Sequence, residues 1–220
     1  MEIIAGTVDT FSADVLFDMA RYRHEVFVEK LGWKLHTRGR LELDEFDRKD
    51  TIYLIARDPA GEIVGTSRLL PTHRPYLLAS VFPQLLGDMP APCSPDIWEL
   101  SRFAAGDGAR LGMGGDPHGR SLALDMLSVA MRTVAKEGAR RLISASPLGI
   151  ERILRRAGLS AHRAAPPVRV DGQLLFACLI DVDKNWCPRR GRHADGIGRV
   201  PRRPAGERAA APRSVQETET

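Results

Sequence analysis

Between Ser12 and Leu31 the apolar positions Val15, Met19, Tyr22 and Val26 recur every three to four residues. That period predicts an amphipathic helix over 12–31, with Ser12 as its N-cap and Gly32 as its stop. Arg23 and Phe27, four residues apart, share one face of it. Residues 33–50 are polar and carry no period, which predicts a long loop of the kind that forms lids and binding segments. Thr51–Arg57 reads as a strand, Asp58-Pro59-Ala60-Gly61 as a turn, and 62–70 as the returning partner of a hairpin. The prolines of 71–95 leave room only for short helical pieces. Residues 97–104 form a further strand, and 106–119 are glycine-rich. A strong helix follows over 120–137, with Ala123, Met126, Leu127, Ala130 and Val134 on one stripe and Gly138 as its end. A strand at 140–146 and a short basic helix at 148–157 lead to strands at 168–170 and 173–182, joined by the hairpin turn Asp171-Gly172. The order predicts one α/β domain, an αβα sandwich with a mixed sheet and helices on both faces.

Charge changes this picture at one end only. The 220 residues carry a net charge of +4. Residues 188–220 hold eight arginines against four acids, so residues 1–187, with 24 basic and 24 acidic side chains, are neutral. The expected organisation is therefore a folded domain over 1–187 and a basic Arg/Pro/Ala-rich tail over 188–220, disordered because it has almost no large apolar side chains. A neutral domain argues against nucleic acid as a partner. No apolar run reaches the roughly 18–20 residues that a membrane span needs, and no secretory signal pattern is visible. Cys93, Cys178 and Cys187 fit neither a disulfide framework nor a zinc site. No metal site, no membrane and a cytoplasmic setting are expected.

The candidate chemistry lies in charges set among large apolar side chains, where an ion is costly unless paired. Arg23 precedes Val26 and Phe27. Asp44 and Asp47 bracket Phe46. Arg68 leads into Leu69-Leu70, and Glu99 and Arg102 interrupt Ile97-Trp98-Glu99-Leu100-Ser101-Arg102-Phe103. In an unbroken strand Glu99 and Arg102 face opposite ways, so serving one site requires a bulge or splay near 99–102.

With Trp33 and Phe82, these segments resemble the acyl-homoserine lactone synthases in order and spacing, from about residue 4 to 183. Nine near-invariant positions of that family correspond to Arg23, Phe27, Trp33, Asp44, Asp47, Arg68, Phe82, Glu99 and Arg102. The resemblance implies a V-shaped split in the sheet, as in the N-acetyltransferase superfamily. It also implies N-acylation of S-adenosylmethionine by a thioester on acyl carrier protein or coenzyme A, then lactone closure with release of methylthioadenosine. S-adenosylmethionine enters as substrate, and no tightly bound cofactor is implied. In this reading Arg23, Phe27, Trp33, Asp44, Asp47 and Arg102 bind S-adenosylmethionine. Guanidiniums grip carboxylates, carboxylates meet the cationic groups, and aromatic faces meet the sulfonium and adenine. Glu99 is the expected general base, supported by Arg68 and Arg102. Phe82, Leu100, Met126, Ser144, Ser146 and Leu148 are the expected acyl-chain pocket. Arg23, Asp47 and Arg102 as ties between loop and sheet, and Glu99 as a structural partner, remain open beside these roles. So does a coenzyme A-dependent N-acyltransferase acting on another amine. The run Arg110–Gly115 before a helix is a weak pyrophosphate-loop signal.

Overall fold

The computed structural model describes residues 1–106 and 117–188, with side chains of the long helix from Leu122 on. The strands β1 (Glu2–Gly6), β4 (Ile52–Arg57), β5 (Ile63–Pro71), β6 (Ile97–Ala105), β7 (Arg141–Pro147), β8 (Ala161–Arg163), β9 (Val168–Val170) and β10 (Gln173–Asp181) form one sheet. Its order is β1-β4-β5-β6-β7-β10-β8, with β9 also on β10. Every pairing in it is antiparallel except β6 with β7. A separate two-residue hairpin, β2 (Thr37–Arg38) with β3 (Leu41–Glu42), lies in the segment expected to be a plain loop. β1, β8 and this hairpin are the elements that periodicity does not announce. They are two to five residues long, too short or too irregular for alternation to show.

The first helix begins at Ser12, whose Oγ accepts from the Val15 N–H. It runs as α1 (Ala13–Arg23) and widens into π-helical turns over His24–Lys30. Leu31 N–H donates to the Val26 carbonyl, five residues back. The widening turns both Val26 and Phe27 inward, and each is 1% exposed. Gly32, at φ +67°, ends the helix. α2 (Leu77–Val81) and a 3₁₀ turn (Pro83–Leu86) are the short pieces expected between prolines. α3 (Pro117–Lys136) and α4 (Ile150–Arg156) complete the set.

Alternation along the strands sorts the sheet into two faces. Leu54, Leu69, Trp98, Leu100 and Leu142 pack with Leu127, Ala130 and Leu154 of α3 and α4. Met19 of α1 packs with Tyr53 and Ile55, while Leu70 and Ile143 pack under Leu78, Leu85 and Phe46 on the opposite face. Each fully buried aliphatic or aromatic side chain contributes about 1.5–3 kcal/mol. Gly65 marks the closest approach of α3, because a Cβ there would lie 2.6 Å from the Met126 sulfur.

Two irregularities shape the site. The parallel ladder between β6 and β7 holds only at Ile97/Arg141, Trp98/Leu142 and Glu99/Ile143, and beyond that vertex the strands diverge. On the other edge of β6, Thr66 pairs with Ala104 and Arg68 with Ser101, so Arg102 and Phe103 together oppose Ser67. This is the bulge that the spacing of Glu99 and Arg102 required, and Arg102 sits in it at φ +50°. A left-handed backbone costs a non-glycine residue about 1–2 kcal/mol, so surrounding contacts must hold it there.

Candidate active site

The charged residues from four distant segments meet in one layer. Arg23 donates from Nε to Glu42 at 2.6 Å, and from Nη1 and Nη2 to Asp47 at 2.8 and 3.1 Å. Arg68 donates from Nε to Ser101 Oγ at 3.1 Å and places its two Nη atoms on Asp44. Its Nη1 also lies 3.2 Å from Asp47. Arg102 donates from Nε and Nη2 to Glu42 Oε1 at 3.1 and 2.9 Å, and from Nη2 to Asp44 at 2.8 Å. Three guanidiniums therefore face three carboxylates. The remaining acceptor capacity goes to the backbone N–H groups of Phe46 (to Asp44) and Asp44 (to Asp47), and to the Tyr53 hydroxyl.

A neutral layer with almost every donor and acceptor matched is the arrangement under which buried ions are tolerated. Burial opposes ionisation of Arg23, but Asp47 and Glu42 outweigh it and hold its pKa above the usual arginine value. For Asp47, burial is likewise more than offset, by Arg23 and Arg68, which keep the carboxyl well below the usual carboxylate range. Glu42 is the residue that the sequence reading missed. It is fully buried and joins Arg23 to Arg102, yet it stands in a charged stretch, Leu41-Glu42-Leu43-Asp44-Glu45, where nothing separates it from solvated neighbours.

Glu99 occupies the vertex of the split. Both its oxygens accept from the N–H groups that open α2, Oε2 from Leu77 at 3.0 Å and Oε1 from Leu78 at 2.6 Å. Burial pushes its pKa up to about 7; the two N–H donors, Arg68 and Arg102 oppose that rise without cancelling it. Glu99 is thus both the anchor of α2 and a carboxyl poised to change protonation near neutrality.

Beyond the vertex lies a cavity of about 130 Å³. Its walls come from Phe27 and Trp33 at one end, Leu100–Ala104 and Ser144–Pro147 along the diverging strands, and Leu127, Ile150, Leu154 and Ile180 at the base. Phe27 and Trp33 stack at 5.0 Å between ring centroids. The Arg102 guanidinium lies 5.8 Å from the Phe27 ring centre, within cation–π range. The hydroxyls of Ser144 and Ser146, 2.8 Å apart, bond to each other in a lining whose other polar side chains are Ser101 and Arg102.

Of the side chains expected here, Phe27, Trp33, Arg102, Leu100, Ser144 and Ser146 line the cavity. Arg23, Asp44, Asp47 and Arg68 stand behind it in the ion layer, and Asp44, at 16% side-chain exposure, is the most open of those four. Three expected pocket residues lie elsewhere. Phe82 packs with Leu78 and Leu85 on the α2 side of the sheet. Met126 packs over Gly65, and its neighbour Leu127, one step of about 100° around the helix, takes the pocket position. Leu148 is 39% exposed at the end of β7. The Arg110–Gly115 run and the tail from 189 fall outside the described residues. Among the described residues no cluster could hold a metal ion, and no helix is long and apolar enough to cross a membrane.

The autoinducer synthase family model matches residues 9–189. The acyl-homoserine-lactone synthase of Acinetobacter nosocomialis is 49% identical, covering 83% of this chain and 100% of its own length. That of Ralstonia solanacearum is 47% identical over 79% of this chain and 85% of its own. Among solved structures, TofI in a ternary complex with an inhibitor and MTA matches at a TM-score of 0.71 and 43% identity, over 83% of this chain and 92% of that one. BjaI, a CoA-dependent acyl-homoserine lactone synthase with SAM and isopentyl-CoA, matches at 0.71 and 27%, over 83% and 82%. A putative N-acetyltransferase from Lactobacillus plantarum, 17% identical at a TM-score of 0.53, shares the fold alone. A match over four-fifths of the sequence, with relatives near one-half identity along 85–100% of their own length, settles the placement: this chain belongs to the autoinducer synthase family.

Proposed function

We propose that the ion layer and the cavity are two halves of one acyl-homoserine-lactone synthase site, with S-adenosylmethionine held against the first and the acyl group in the second. The chain is an acyltransferase. The amine of S-adenosylmethionine attacks the thioester carbonyl, a C–N bond forms, the C–S bond breaks, and the thiol departs with a proton. The methionyl carboxylate then attacks its own γ-carbon, closing the lactone and expelling methylthioadenosine.

The observation that carries this reading is the position of Glu99 at the junction. It sits between Arg68 and Arg102 on one side and the opening of the β6–β7 split on the other. A carboxyl whose pKa is near 7 matches the task of removing a proton from an ammonium nucleophile at neutral pH. Reaching that amine takes a bridging water or a small retreat of α2, because both Glu99 oxygens are engaged by Leu77 and Leu78. Arg102, the guanidinium that reaches the cavity wall, meets the substrate carboxylate, and Asp44 meets the ammonium. Arg23, Asp47 and Arg68 hold these two in place. Phe27 and Trp33 present a stacked aromatic wall to the sulfonium and adenine. Strand edges freed beyond Glu99 and Ile143 offer backbone N–H groups to the developing oxyanion.

The acyl carrier is coenzyme A or acyl carrier protein. Both are acidic, and α4 carries Arg152, Arg155 and Arg156 on its exposed side while Ile150 and Leu154 line the cavity. The enzyme acts in the cytoplasm, where both substrates are made, and residues 1–187 carry the activity. A coenzyme A-dependent transfer to another amine is not favoured by any feature of the site.

Incubation with S-adenosylmethionine and acyl donors on each carrier, from C4 to C18 and including branched and aryl groups, is expected to release methylthioadenosine and a lactone in equal amounts. Release of neither product with every donor ends this reading.

A further inference from the structure

We infer that Glu42 is a positioning residue for the S-adenosylmethionine half of the reaction: it clamps the Nε edge of Arg102, so that the opposite edge, Nη1, is presented to substrate. The inference rests on the proposed role of Arg102. Four observations support it.

The first is a count of guanidinium nitrogens. All three nitrogens of Arg23 and all three of Arg68 have acceptors within the layer. On Arg102, Nε and Nη2 are taken by Glu42 and Asp44, while Nη1 has no acceptor among the described residues. The second is location. Arg102 is the guanidinium of the three that lines the cavity. The third is backbone. Arg102 leaves its strand at a bulge with φ +50°, so the strand's own alternation does not set where its side chain points. A side-chain clamp must do so. Glu42 supplies it through a single oxygen, Oε1, which accepts from both Nε and Nη2 and so fixes that edge of the planar guanidinium.

The fourth is what Glu42 is fixed to. Its other oxygen accepts from Arg23 Nε at 2.6 Å, and Arg23 leads directly from α1 into the π-helical turns that carry Phe27. One carboxylate therefore sets the aromatic wall and the substrate-facing guanidinium in a common frame. Asp44 serves Arg102 differently. It is partly exposed and also paired with Arg68, so the substrate ammonium can compete for it. Glu42 is fully buried, paired with Arg102 and Arg23.

The test is a double-mutant cycle on the full chain between Glu42→Gln and Arg102→Lys, read as kcat/KM for S-adenosylmethionine and, separately, as KM for the acyl donor. Glu42→Gln is expected to lower kcat/KM for S-adenosylmethionine at least tenfold and to change the acyl-donor KM less than threefold. In the Arg102→Lys background the same change is expected to cost less than threefold more, because the clamped group is already gone. Val134→Ala, a buried change at α3 remote from the layer, controls for lost stability and is expected to leave both parameters in place. If Glu42→Gln does not fold, Glu42→Asp, which keeps the charge and shortens the reach, takes its place in the cycle. Independent, multiplicative losses in the double variant, equal losses for both substrates, wild-type kinetics in Glu42→Gln, or failure of both Glu42 variants to fold each overturn the inference. Absence of lactone from the unmodified protein strikes the proposed function instead, and the two failures are told apart by that control.

Discussion

The two halves of the site solve opposite problems. The ion layer is closed: three guanidiniums and three carboxylates, contributed by α1, β3, the loop after it, β5 and β6, cancel in charge and use nearly every hydrogen-bonding atom. The cavity is open: mostly apolar walls, one pair of serine hydroxyls bonded to each other, Ser101 and Arg102 on the side of the layer, and strands that have stopped pairing. Geometry in the first is fixed by partners, and a missing partner strands a buried charge. The second is held by packing. On the proposed reading, the layer would take the charged groups of S-adenosylmethionine and the cavity the acyl chain.

This contrast is tested first at Glu99, which stands at the vertex of the β6–β7 split, outside both the ion layer and the cavity lining. Glu99→Gln is expected to lower turnover by about 10²–10⁴, the range for loss of a general base, with methylthioadenosine release as the readout. Wild-type kcat/KM is expected to climb with pH and level off above about 7, as the carboxyl loses its proton. The variant should show no such limb. Stability has the opposite sign. A folded-state pKa raised above the ordinary glutamate value stabilises the fold most at low pH, and that contribution is lost as pH rises through about 7. The glutamine variant should lose this pH dependence of the urea midpoint, and it keeps an acceptor for only one of the two N–H groups that open α2. A full-activity variant would remove Glu99 from the chemistry.

The layer is tested next by Asp47→Ala, which leaves the Nη groups of Arg23 without an acceptor. Breaking a buried pair by removing one partner costs about 3–5 kcal/mol, measurable as a shift in the urea midpoint. The acid limb follows from the same residue. Its carboxyl is held well below the usual range by Arg23 and Arg68, so its contribution is present above the ordinary aspartate value and is lost as pH falls through the folded-state pKa. Wild type is expected to lose stability below about pH 4, the ordinary aspartate range, more steeply than the variant.

Leu154→Phe fills the base of the cavity without touching the layer. Discrimination of about 1–3 kcal/mol per methylene in an apolar pocket is expected to move the product distribution toward shorter acyl chains. Mass spectrometry of the lactones checks this, and KM for S-adenosylmethionine should stay within about twofold. The smallest effect is expected from Ser146→Ala. It removes one member of a hydroxyl pair whose partner is within the lining, for about 0.5–1.5 kcal/mol, and should alter preference among acyl groups with and without a polar 3-substituent more than total turnover. A change in S-adenosylmethionine affinity equal to the change in acyl preference, for either variant, would dissolve the distinction between the halves.

Much of the fold was legible because its long elements carry a period. The helix from Ser12, the hairpin around Asp58–Gly61, α3 with its stop at Gly138 and the Asp171-Gly172 turn all stand where pattern and turn chemistry place them. The bulge at Arg102 is expected on the premise that Glu99 and Arg102 serve one site, since two residues three apart in a strand cannot share a face unless the strand is broken. Misplacements came where period loses meaning. Met126 and Leu127 lie on one apolar stripe, and only the approach of Gly65 decides which of them packs on the sheet and which faces the cavity. Phe82 reads as a pocket aromatic but goes to the α2 side, because the proline-rich segment offers no register from which to judge its direction.

By itself the sequence determined the long periodic elements, the neutrality of residues 1–187 and six of the charges too deeply set among apolar neighbours to be surface. Those properties are local, written in spacing and residue type, and need no knowledge of what lies across the chain. Only the tertiary structure decided which charges meet, that Glu42 joins Arg23 to Arg102, and that Glu99, at the vertex of the split, holds α2. Pairing energies depend on distances between atoms 19 to 60 residues apart along the chain, and such distances exist only once the sheet has brought the segments together.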